Sequence, residues 1–343
     1  MKNIVYILIA LVLMSCFGSA QDIHFSQFYN SMLFQNPALT GPSECMYRGS
    51  MQYRNQWQSI SKPYISQFGA FDMQYAPKKM LFDWFGFGGF VYNDKAGSGN
   101  LQNTRAMLLG SYNKSFDTRS TFSVSLGFAL GLNNKRIDRD VLTFDSQWNG
   151  RSFDPALAQN ENFNRTSYTY LDMNAGILAN YSFSRYYVLQ AGASLSHINQ
   201  PKENFFALTK FGTENRLGTK ILFHVDYMAR FNSVFHIRPA AIMSFQKGTC
   251  ELIYGSTQYV TLDHARVGVG LWHRHLRDII PTFGIELYKF AAMVSYDINI
   301  SSLKSATDGN GGFEISLTRH FNCSRKVRNR NGFENCPSWQ MVE

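Results

Sequence analysis

Apolar and polar residues alternate along most of this chain. In residues 121–132 every even position is apolar and every odd position is small or polar. In residues 221–231 the odd positions are apolar or aromatic, whereas the even positions include His224, Asp226 and Arg230. Because successive side chains of a β-strand point to opposite faces, this pattern predicts strands that have one apolar and one polar face.

Fourteen segments follow this pattern and are predicted to be strands. They cover residues 44–56, 63–76, 84–93, 102–116, 120–134, 167–183, 186–199, 218–231, 234–247, 249–261, 264–275, 279–288, 290–300 and 312–322. Several are long enough to cross a bilayer at a tilt, which takes about 9–11 residues, whereas strands of globular sheets average about 5–6. We therefore predict an all-β fold, a transmembrane antiparallel β-barrel of about fourteen strands.

The links between the predicted strands alternate in length. Five short links follow even-numbered strands, at 117–119, 184–185, 232–233 and 262–263 and around residue 289. Two links depart from this rule, since 246–249 is a short turn after an odd-numbered strand and 77–83 is a somewhat longer link after an even-numbered one. Each of the longest links follows an odd-numbered strand, at 135–166, 200–217 and 301–311. Outer-membrane barrels have short turns on the periplasmic side and longer loops outside. The alternation therefore predicts that both ends of the barrel chain lie in the periplasm.

The composition supports a membrane barrel. Aromatic residues make up 15% of the chain, whereas charged residues make up 17%, against about 25% in a soluble domain. The mean hydropathy is nevertheless −0.23, so the chain is not apolar on average. Strands that alternate lipid-facing and lumen-facing residues produce this mixture. No linker composition interrupts it, and we predict one barrel domain over residues 44–322.

The start of the chain has the features of a secretory signal peptide. An uncharged apolar run over residues 4–13 is followed by small residues at 18–20, which predicts residues 1–20 to be removed before Gln21. The alternative is lipidation at Cys16, since residues 13–16 loosely resemble a lipobox. No later stretch holds the ~18 apolar residues that a spanning helix needs.

Residues 21–43 precede the first predicted strand and are rich in aromatic side chains. They are too aromatic to remain exposed, and Pro37 disfavours a central strand. We expect this N-terminal segment to fold back and pack against or within the periplasmic mouth of the barrel. It would either only stabilise the barrel or also bind a partner. The candidate residues are His24, Phe25, Ser26, Gln27, Phe28, Tyr29, Asn36 and Pro37.

The first predicted strand carries a charge that must avoid lipid. A cation that faces lipid at the bilayer midplane costs ~2–4 kcal/mol, so we predict that Arg54 points into the lumen. It is expected to bond an acid such as Asp72, Asp226 or Glu286. The candidate polar lumen residues are Arg54, Gln56, Asp226 and Glu286.

Four cysteines follow the signal segment, and several pairings are open. An oxidising periplasm permits disulfides. The first choice is Cys323–Cys336, within a short, basic, periplasmic tail predicted over residues 323–343. The alternatives are Cys45–Cys323 and reduced thiols. The formal net charge of +9 comes partly from this tail, which is either solvated or bound to an acidic partner or anionic lipid.

No pattern in the chain indicates catalysis. Two histidines, His273 and His275, share a strand face, but a metal site needs further ligands nearby. Ser196-His197 and Asp263-His264 supply residue types of a hydrolase triad, yet no Gly-x-Ser-x-Gly elbow accompanies them. Neither a P-loop nor a dinucleotide fingerprint is present. We expect no catalytic residue, no metal and no cofactor.

Four places in the sequence resemble one known family. They are His24-Phe-Ser-Gln-Phe-Tyr29 followed by Asn36-Pro-Ala and Gly41, then Tyr53-Arg-Asn-Gln-Trp57, Ser295-Tyr-Asp-Ile-Asn299 and Gly312-Phe-Glu-Ile-Ser-Leu317. Together they resemble the PorP/SprF family. The last place departs from the family pattern, because Gly312 and Phe313 stand where the family often has Ser-His.

The resemblance implies a Bacteroidota outer-membrane barrel of the type IX secretion and gliding machinery. Its members are not known as enzymes and help to secrete or anchor surface adhesins. The implied partners are outer-membrane lipid, periplasmic type IX components and a large secreted adhesin. Nucleic acids and small-molecule substrates are not expected. The alternative is an outer-membrane transporter for hydrophobic solutes of the fatty-acid-transporter type, which would need a continuous path through the lumen.

Overall fold

The computed structural model describes residues 24–41, 45–58, 62–77, 80, 82–97, 99–117, 121–139, 141–142, 144–154, 156–157, 166–184, 186–203, 216–302 and 304–321. Within them the strands are β1 (Tyr47–Gln56), β2 (Tyr64–Tyr75), β3 (Trp84–Ala96), β4 (Leu101–Ser115), β5 (Phe122–Arg136), β6 (Ser167–Ser184), β7 (Tyr187–Ser196), β8 (Lys220–Arg230), β9 (Phe235–Gln246), β10 (Thr249–Thr261), β11 (Ala265–Arg274), β12 (Asp278–Leu287), β13 (Phe290–Asn299) and β14 (Asn310–Phe321).

These strands form one closed antiparallel β-barrel. Each strand pairs with its neighbours in sequence, and β1 closes the barrel by pairing with β14. The predicted fold class is confirmed, and strand boundaries shift by at most three residues, as where 44–56 becomes Tyr47–Gln56. Short helices cover Met32–Gln35 and Lys304–Thr307, and 3-10 helices cover Pro37–Leu39 and Asp145–Gln147. No helix among the described residues is long and apolar enough to cross a membrane.

The two faces of the barrel wall differ as the alternation predicts. On β5 the outward Leu126 and Phe128 are 58% and 50% exposed, whereas the inward Ser125 and Asn133 are fully buried. Apolar side chains thus cover the outside and polar side chains line the inside, the reverse of a soluble protein. This is the arrangement of a barrel whose outer surface meets lipid.

Residues 24–41, which we call the plug, lie inside the lumen. They comprise a turn, the helix Met32–Gln35 and the 3-10 helix Pro37–Leu39. Five polar plug residues are at most 1% exposed, namely Ser26, Gln27, Ser31, Asn36 and Thr40. The N-terminal segment that the sequence predicts to fold back therefore fills the barrel.

Aromatic packing fixes the plug against two parts of the wall. Phe34 lies 5.9 Å from Phe90 of β3, measured between ring centroids. On the other side, Phe28 and Tyr29 contact Trp272 of β11 at 5.3 and 4.9 Å. Burying one such side chain contributes about 1.5–3 kcal/mol. These two apolar clusters therefore stabilise the plug within an otherwise polar lumen.

The plug crosses the lumen from end to end. Ser26 contacts Arg274, the last residue of β11, at the mouth with the long links. At mid-depth, Asn36 donates to Ile177 O of β6. At the mouth with the short links, Gly41 N donates to Asp72 of β2 at 2.7 Å. The sequence places this segment at the periplasmic, short-link mouth; only its carboxyl-terminal end lies there, and the rest runs to the opposite mouth.

Glycines in the wall let the plug backbone approach closely. Gly127 of β5 and Gly176 of β6 are cross-strand partners. A Cβ atom on Gly127 would overlap the backbone of Ala38, and one on Gly176 would overlap the Asn36 side chain. The 3-10 helix of the plug therefore packs against a part of the wall where a side chain larger than that of glycine would overlap the plug.

Candidate functional site

The amino-terminal half of the plug is held at one buried hydroxyl. Ser26 Oγ donates to Asp297 Oδ2 at 2.8 Å. It accepts from Arg54 Nη1 and from Arg274 Nη2, each at 2.8 Å. The hydroxyl thus joins β1, β11 and β13, and all four side chains are at most 3% exposed.

Glu314 of β14 captures the plug backbone next to this hydroxyl. Its carboxylate accepts from Ser26 N at 2.9 Å and from Gln27 N at 2.8 Å. The same carboxylate accepts from Arg54 Nη1 at 3.2 Å and from the Gln52 amide. A carboxylate that accepts two successive backbone N–H groups fixes the conformation of the chain as well as its position.

Gln27 extends this contact over three neighbouring strands. Its amide donates to Ser295 Oγ of β13 at 3.0 Å and to Glu314 O at 3.1 Å. Its side-chain oxygen accepts from Ser316 Oγ of β14 at 2.6 Å. Gln52 of β1 donates to its carbonyl at 3.4 Å. One plug residue therefore bridges the strands that close the barrel.

The charges around the plug are buried and paired. Arg54 donates to Asp297 at 2.7 Å, and Arg274 contacts Asp278 at 2.6 Å and Glu251 at 3.1 Å. A buried charge without a partner is strongly unfavourable. Removal of any one charge from the cluster would therefore leave an unpaired buried charge and weaken the binding of the plug.

His24 lies beside the same cluster but carries no charge at neutral pH. Its Nε2 is 3.7 Å from Glu251 Oε1. Burial lowers the pKa of His24 from 6.5 to about 3, although the Glu251 carboxylate opposes this shift. The plug is therefore docked with a neutral imidazole at this position.

Two further anchors fix the carboxyl-terminal half of the plug. The Asn36 side chain caps the 3-10 helix by accepting from Ala38 N at 2.9 Å, and its amide lies 3.2 Å from His224 Nε2 of β8. Asp72 holds the end of the plug, because it accepts from Gly41 N while its other contacts go to Arg48 of β1. The predicted plug residue Pro37 begins the 3-10 helix and is buried.

The predicted lumen residues all lie on the inner face, but Arg54 has other partners than expected. The sequence names Asp72, Asp226 and Glu286 as acids for Arg54; the observed acids are Asp297 and Glu314. Each of the expected acids has an arginine of its own: Asp72 pairs with Arg48, Asp226 with Arg238 and Glu286 with Arg266. Gln56 accepts from Arg54 at 3.5 Å.

Comparison with known proteins identifies the family. Residues 17–318 match the family of the type IX secretion system membrane protein PorP/SprF. The chain belongs to the PorP/SprF family. No curated protein matches it.

Solved structures share the fold of this PorP/SprF barrel. The toluene transporter TbuX of Ralstonia pickettii superposes with a TM-score of 0.52 at 11% identity, covering 89% of this chain and 96% of TbuX. A FadL homologue of Pseudomonas aeruginosa superposes with a TM-score of 0.50 at 9% identity, covering 86% and 96%. At such identities the likeness concerns the barrel alone.

The four places that resemble the PorP/SprF family meet at the plug. Ser26 and Gln27 come from the first, Arg54 from the second, Ser295 and Asp297 from the third, and Glu314 from the fourth. In the sequence these places are separated by up to 288 residues. Residues from all four places therefore build one site, the docking site of the amino-terminal segment.

Arg274 is one member of the site that sequence reasoning misses, beside the acids Asp297 and Glu314. It lies in Trp272-His273-Arg274-His275, where the histidines draw attention as metal ligands. Trp272 and Arg274 face the lumen, and the rings of His273 and His275 lie 6.3 Å apart away from it. Among the described residues no three His, Cys, Asp or Glu side chains form a metal site. The apolar–polar alternation of this strand could have identified Arg274 as a lumen-facing residue.

The cysteines fall only partly within the described residues. Cys45 is disulfide-bonded, whereas Cys250 keeps its thiol. Cys323 and Cys336 lie outside the described residues, as do the signal segment 1–20 and the tail 323–343. The Cys323–Cys336 pairing remains a prediction.

Proposed function

We propose that this PorP/SprF protein is a non-enzymatic, plugged barrel of the outer membrane that helps the type IX machinery to secrete or anchor a surface adhesin. Membership of the family supports the link to type IX secretion. The observation that carries the rest is the plug, which is bonded to the wall at three depths. A barrel filled in this way is suited to hold partners at its two mouths.

Two cavities that described residues line beside the plug are small, which argues against solute transport. These cavities measure about 20 and 30 Å³. An apolar cavity that admits benzene measures about 150 Å³. The likeness to TbuX and to the FadL homologue concerns the fold, so we keep hydrocarbon transport as the alternative function only. Uptake of toluene by proteoliposomes that contain the wild-type protein would establish the alternative.

A triple variant tests the adhesin role. The variant combines His24→Ala, Gln27→Ala and Tyr29→Ala. These substitutions remove contacts of the plug and leave the sequence of the barrel strands unchanged. We expect type IX–exported protein on the cell surface to fall while the barrel remains folded, as judged by heat-modifiable migration in gels. Arg266→Met is the matched control, since it breaks the lumenal pair with Glu286. If both variants lower display in proportion to barrel stability, the plug acts only as a structural element.

A further inference from the structure

Strands β3 to β6 carry polar side chains on their outer face, at the ends that border the long-link mouth. Two rows of cross-strand partners lie there, the first being Asn93, Thr104, Asn134 and Thr169 and the second Lys95, Gln102, Arg136 and Ser167. Both rows point outward, because the alternate residues Tyr92 and Arg105 are buried on the inner face. At the same ends of β8, β9 and β12 the outward residues are Ile221, Phe245 and Ile279. The polar rows therefore distinguish one side of the barrel, which we call the outer polar patch.

The outer polar patch lies just beyond the apolar band of the wall. On β5 every outward residue from 122 to 132 is apolar. At a rise of about 3.4 Å per residue and a tilt of about 40°, this interval spans roughly 26 Å of membrane. The apolar band of an outer-membrane barrel is about 25 Å tall, and its longer loops face outward. Asn134 and Arg136, which come next on β5, therefore reach the headgroup level of the outer leaflet.

Hydrogen bonds order the polar side chains of the patch. Asn93 accepts from Gln102 Nε2 at 2.7 Å and from Thr104 Oγ1 at 2.8 Å. Asn134 donates to Thr169 Oγ1 at 2.9 Å. An amide has two donor hydrogens and an oxygen with two lone pairs, so these bonds leave further capacity for a ligand. The patch is thus an ordered surface that can bind hydroxyl groups.

Two cations give the patch its charge. Lys95 and Arg136 are exposed, and Gln102 lies between them in the ladder. Two strand spacings place their Cα atoms about 10 Å apart, so the two long side chains can contact one phosphate between them. The neighbouring acid Asp94 lies on the opposite face and accepts from Ser66. Within the described part of the chain, neither cation forms an ion pair.

We propose that the outer polar patch binds the headgroup of lipid A, the phosphorylated glucosamine disaccharide of the outer leaflet. Lys95 and Arg136 bind phosphate, since cations form the strongest hydrogen bonds to such groups. The ordered amides and hydroxyls of the two rows bind the sugar hydroxyls. The charge of the patch and its level above the apolar band select this occupant. The proposal concerns the outer wall, and it does not depend on the adhesin role of the plug.

Titration of the delipidated, detergent-solubilised barrel with lipid A, followed by native mass spectrometry, tests this site. The double variant Lys95→Gln with Arg136→Gln should bind lipid A about tenfold more weakly, the effect of losing a charge-assisted hydrogen bond. Lys95→Arg with Arg136→Lys keeps both charges and should retain most of the affinity. The matched control, Lys114→Gln with Arg319→Gln, removes two outward cations at the short-link end and should bind as the wild type does. Heat-modifiable migration in gels confirms that each variant is folded.

Two further probes identify the group that is recognised. We expect the wild type to bind dephosphorylated lipid A and phosphatidylglycerol more weakly than lipid A. Equal affinity of the wild type and the Lys95→Gln, Arg136→Gln variant for lipid A would overturn the site. An equal loss in both glutamine double variants would assign binding to overall charge and would overturn it too. Phosphatidylglycerol that binds as tightly as lipid A would contradict recognition of the phosphorylated sugar.

Discussion

Arg54 of the first strand donates to Asp297 of the thirteenth strand at 2.7 Å, and the pair therefore passes over β14, which lies between these strands in the closed sheet. Asp297 lies where the β13–β14 register shifts between Tyr296 and Ile298. A bulge of this kind redirects a side chain and weakens the local ladder. The ion pair and the plug thus join three strands at the place where the barrel closes.

The first prediction concerns the seam, by which we mean the paired strands β1 and β14 that close the barrel. Gln27→Ala removes the bonds to Ser295 and Ser316 and leaves buried polar groups unsatisfied, at about 1–3 kcal/mol each. We expect faster hydrogen exchange in β1 and β14, measured by mass spectrometry, and unchanged exchange in β4 and β5. Ser194→Ala is the control, because it breaks only a mid-depth bond to the Gln35 carbonyl. Equal acceleration in all strands would contradict a role at the seam.

The second prediction concerns the charge of Arg54. Arg54→Met leaves Asp297 and Glu314 short of a buried partner, which costs about 3–5 kcal/mol. We expect the plug peptide to become protease-sensitive. Arg54→Lys keeps the charge but loses the forked geometry, so an intermediate effect is expected. Arg266→Met should lower barrel stability without exposing the plug; equal plug exposure in this variant would argue against a specific anchor.

The barrel was predictable because one physical rule repeats along the chain. Lipid demands an apolar outer face, so alternation reveals each strand, and the same rule sets the orientation of Arg54. The partners of Arg54 were not predictable, because Asp297 and Glu314 lie 243 and 260 residues away. The inward orientation of Arg54 restricts its partner to a lumen-facing acid, but many acids face the lumen. Only the register and the bulge at Asp297 decide among them.

The plug was predictable in composition but not in path. Its aromatic residues demand burial, which indicates docking. Its direction depends on contacts at three depths, with Arg274, Ile177 and Asp72, and on wall glycines whose role no local pattern reveals. Gly127 and Gly176 resemble ordinary strand residues until Ala38 and Asn36 are seen against them.

The third prediction uses these glycines. Gly176→Val places a side chain where Asn36 lies, so we expect the 3-10 helix of the plug to be displaced and the lumen to open. Single-channel recording in planar bilayers should then show ion conductance that the wild type lacks. Gly110→Val is the matched control, since nothing lies within 4 Å of a Cβ atom there. A closed, correctly folded Gly176→Val barrel would show that the plug adapts.

The fourth prediction concerns pH. Burial lowers the pKa of His24 to about 3 in the docked state, against 6.5 for an exposed histidine. Protonation therefore favours the undocked plug. The neutral imidazole therefore supports docking fully above about pH 6.5, and this support is lost as the pH falls from there toward 3. The groups that face His24 are Glu251, Arg274, Arg54 and Lys220.

Hydrogen exchange of the plug peptide measures this effect. We expect exchange over residues 25–35 to rise between pH 7.5 and pH 5, after correction for the intrinsic rate. His24→Gln removes the titrating group and should flatten the dependence. An equal pH response in wild type and His24→Gln would assign the effect to other groups.

The fifth prediction concerns the disulfide of Cys45. Paired positions of β1 and β14 sum to 368, as in Tyr47 with Phe321 and Arg48 with His320. The last described pair is Tyr47 with Phe321, and in the sequence Cys45 and Cys323 each lie two residues beyond it. Facing residues of an antiparallel pair have Cα atoms about 4.5–5.5 Å apart, which suits a disulfide. Because Cys45 is disulfide-bonded, we predict the pair Cys45–Cys323 in place of the Cys323–Cys336 loop.

Peptide mapping under non-reducing conditions decides between these pairings. We expect one linked peptide that contains Cys45 and Cys323, with Cys336 free. Cys323→Ser should release the Cys45 thiol and lower the temperature at which the barrel loses its compact form in gels, because the bond ties the first strand to the last. Cys336→Ser and Cys250→Ser are the controls and should leave that temperature unchanged. A Cys45–Cys336 peptide would contradict the predicted pairing.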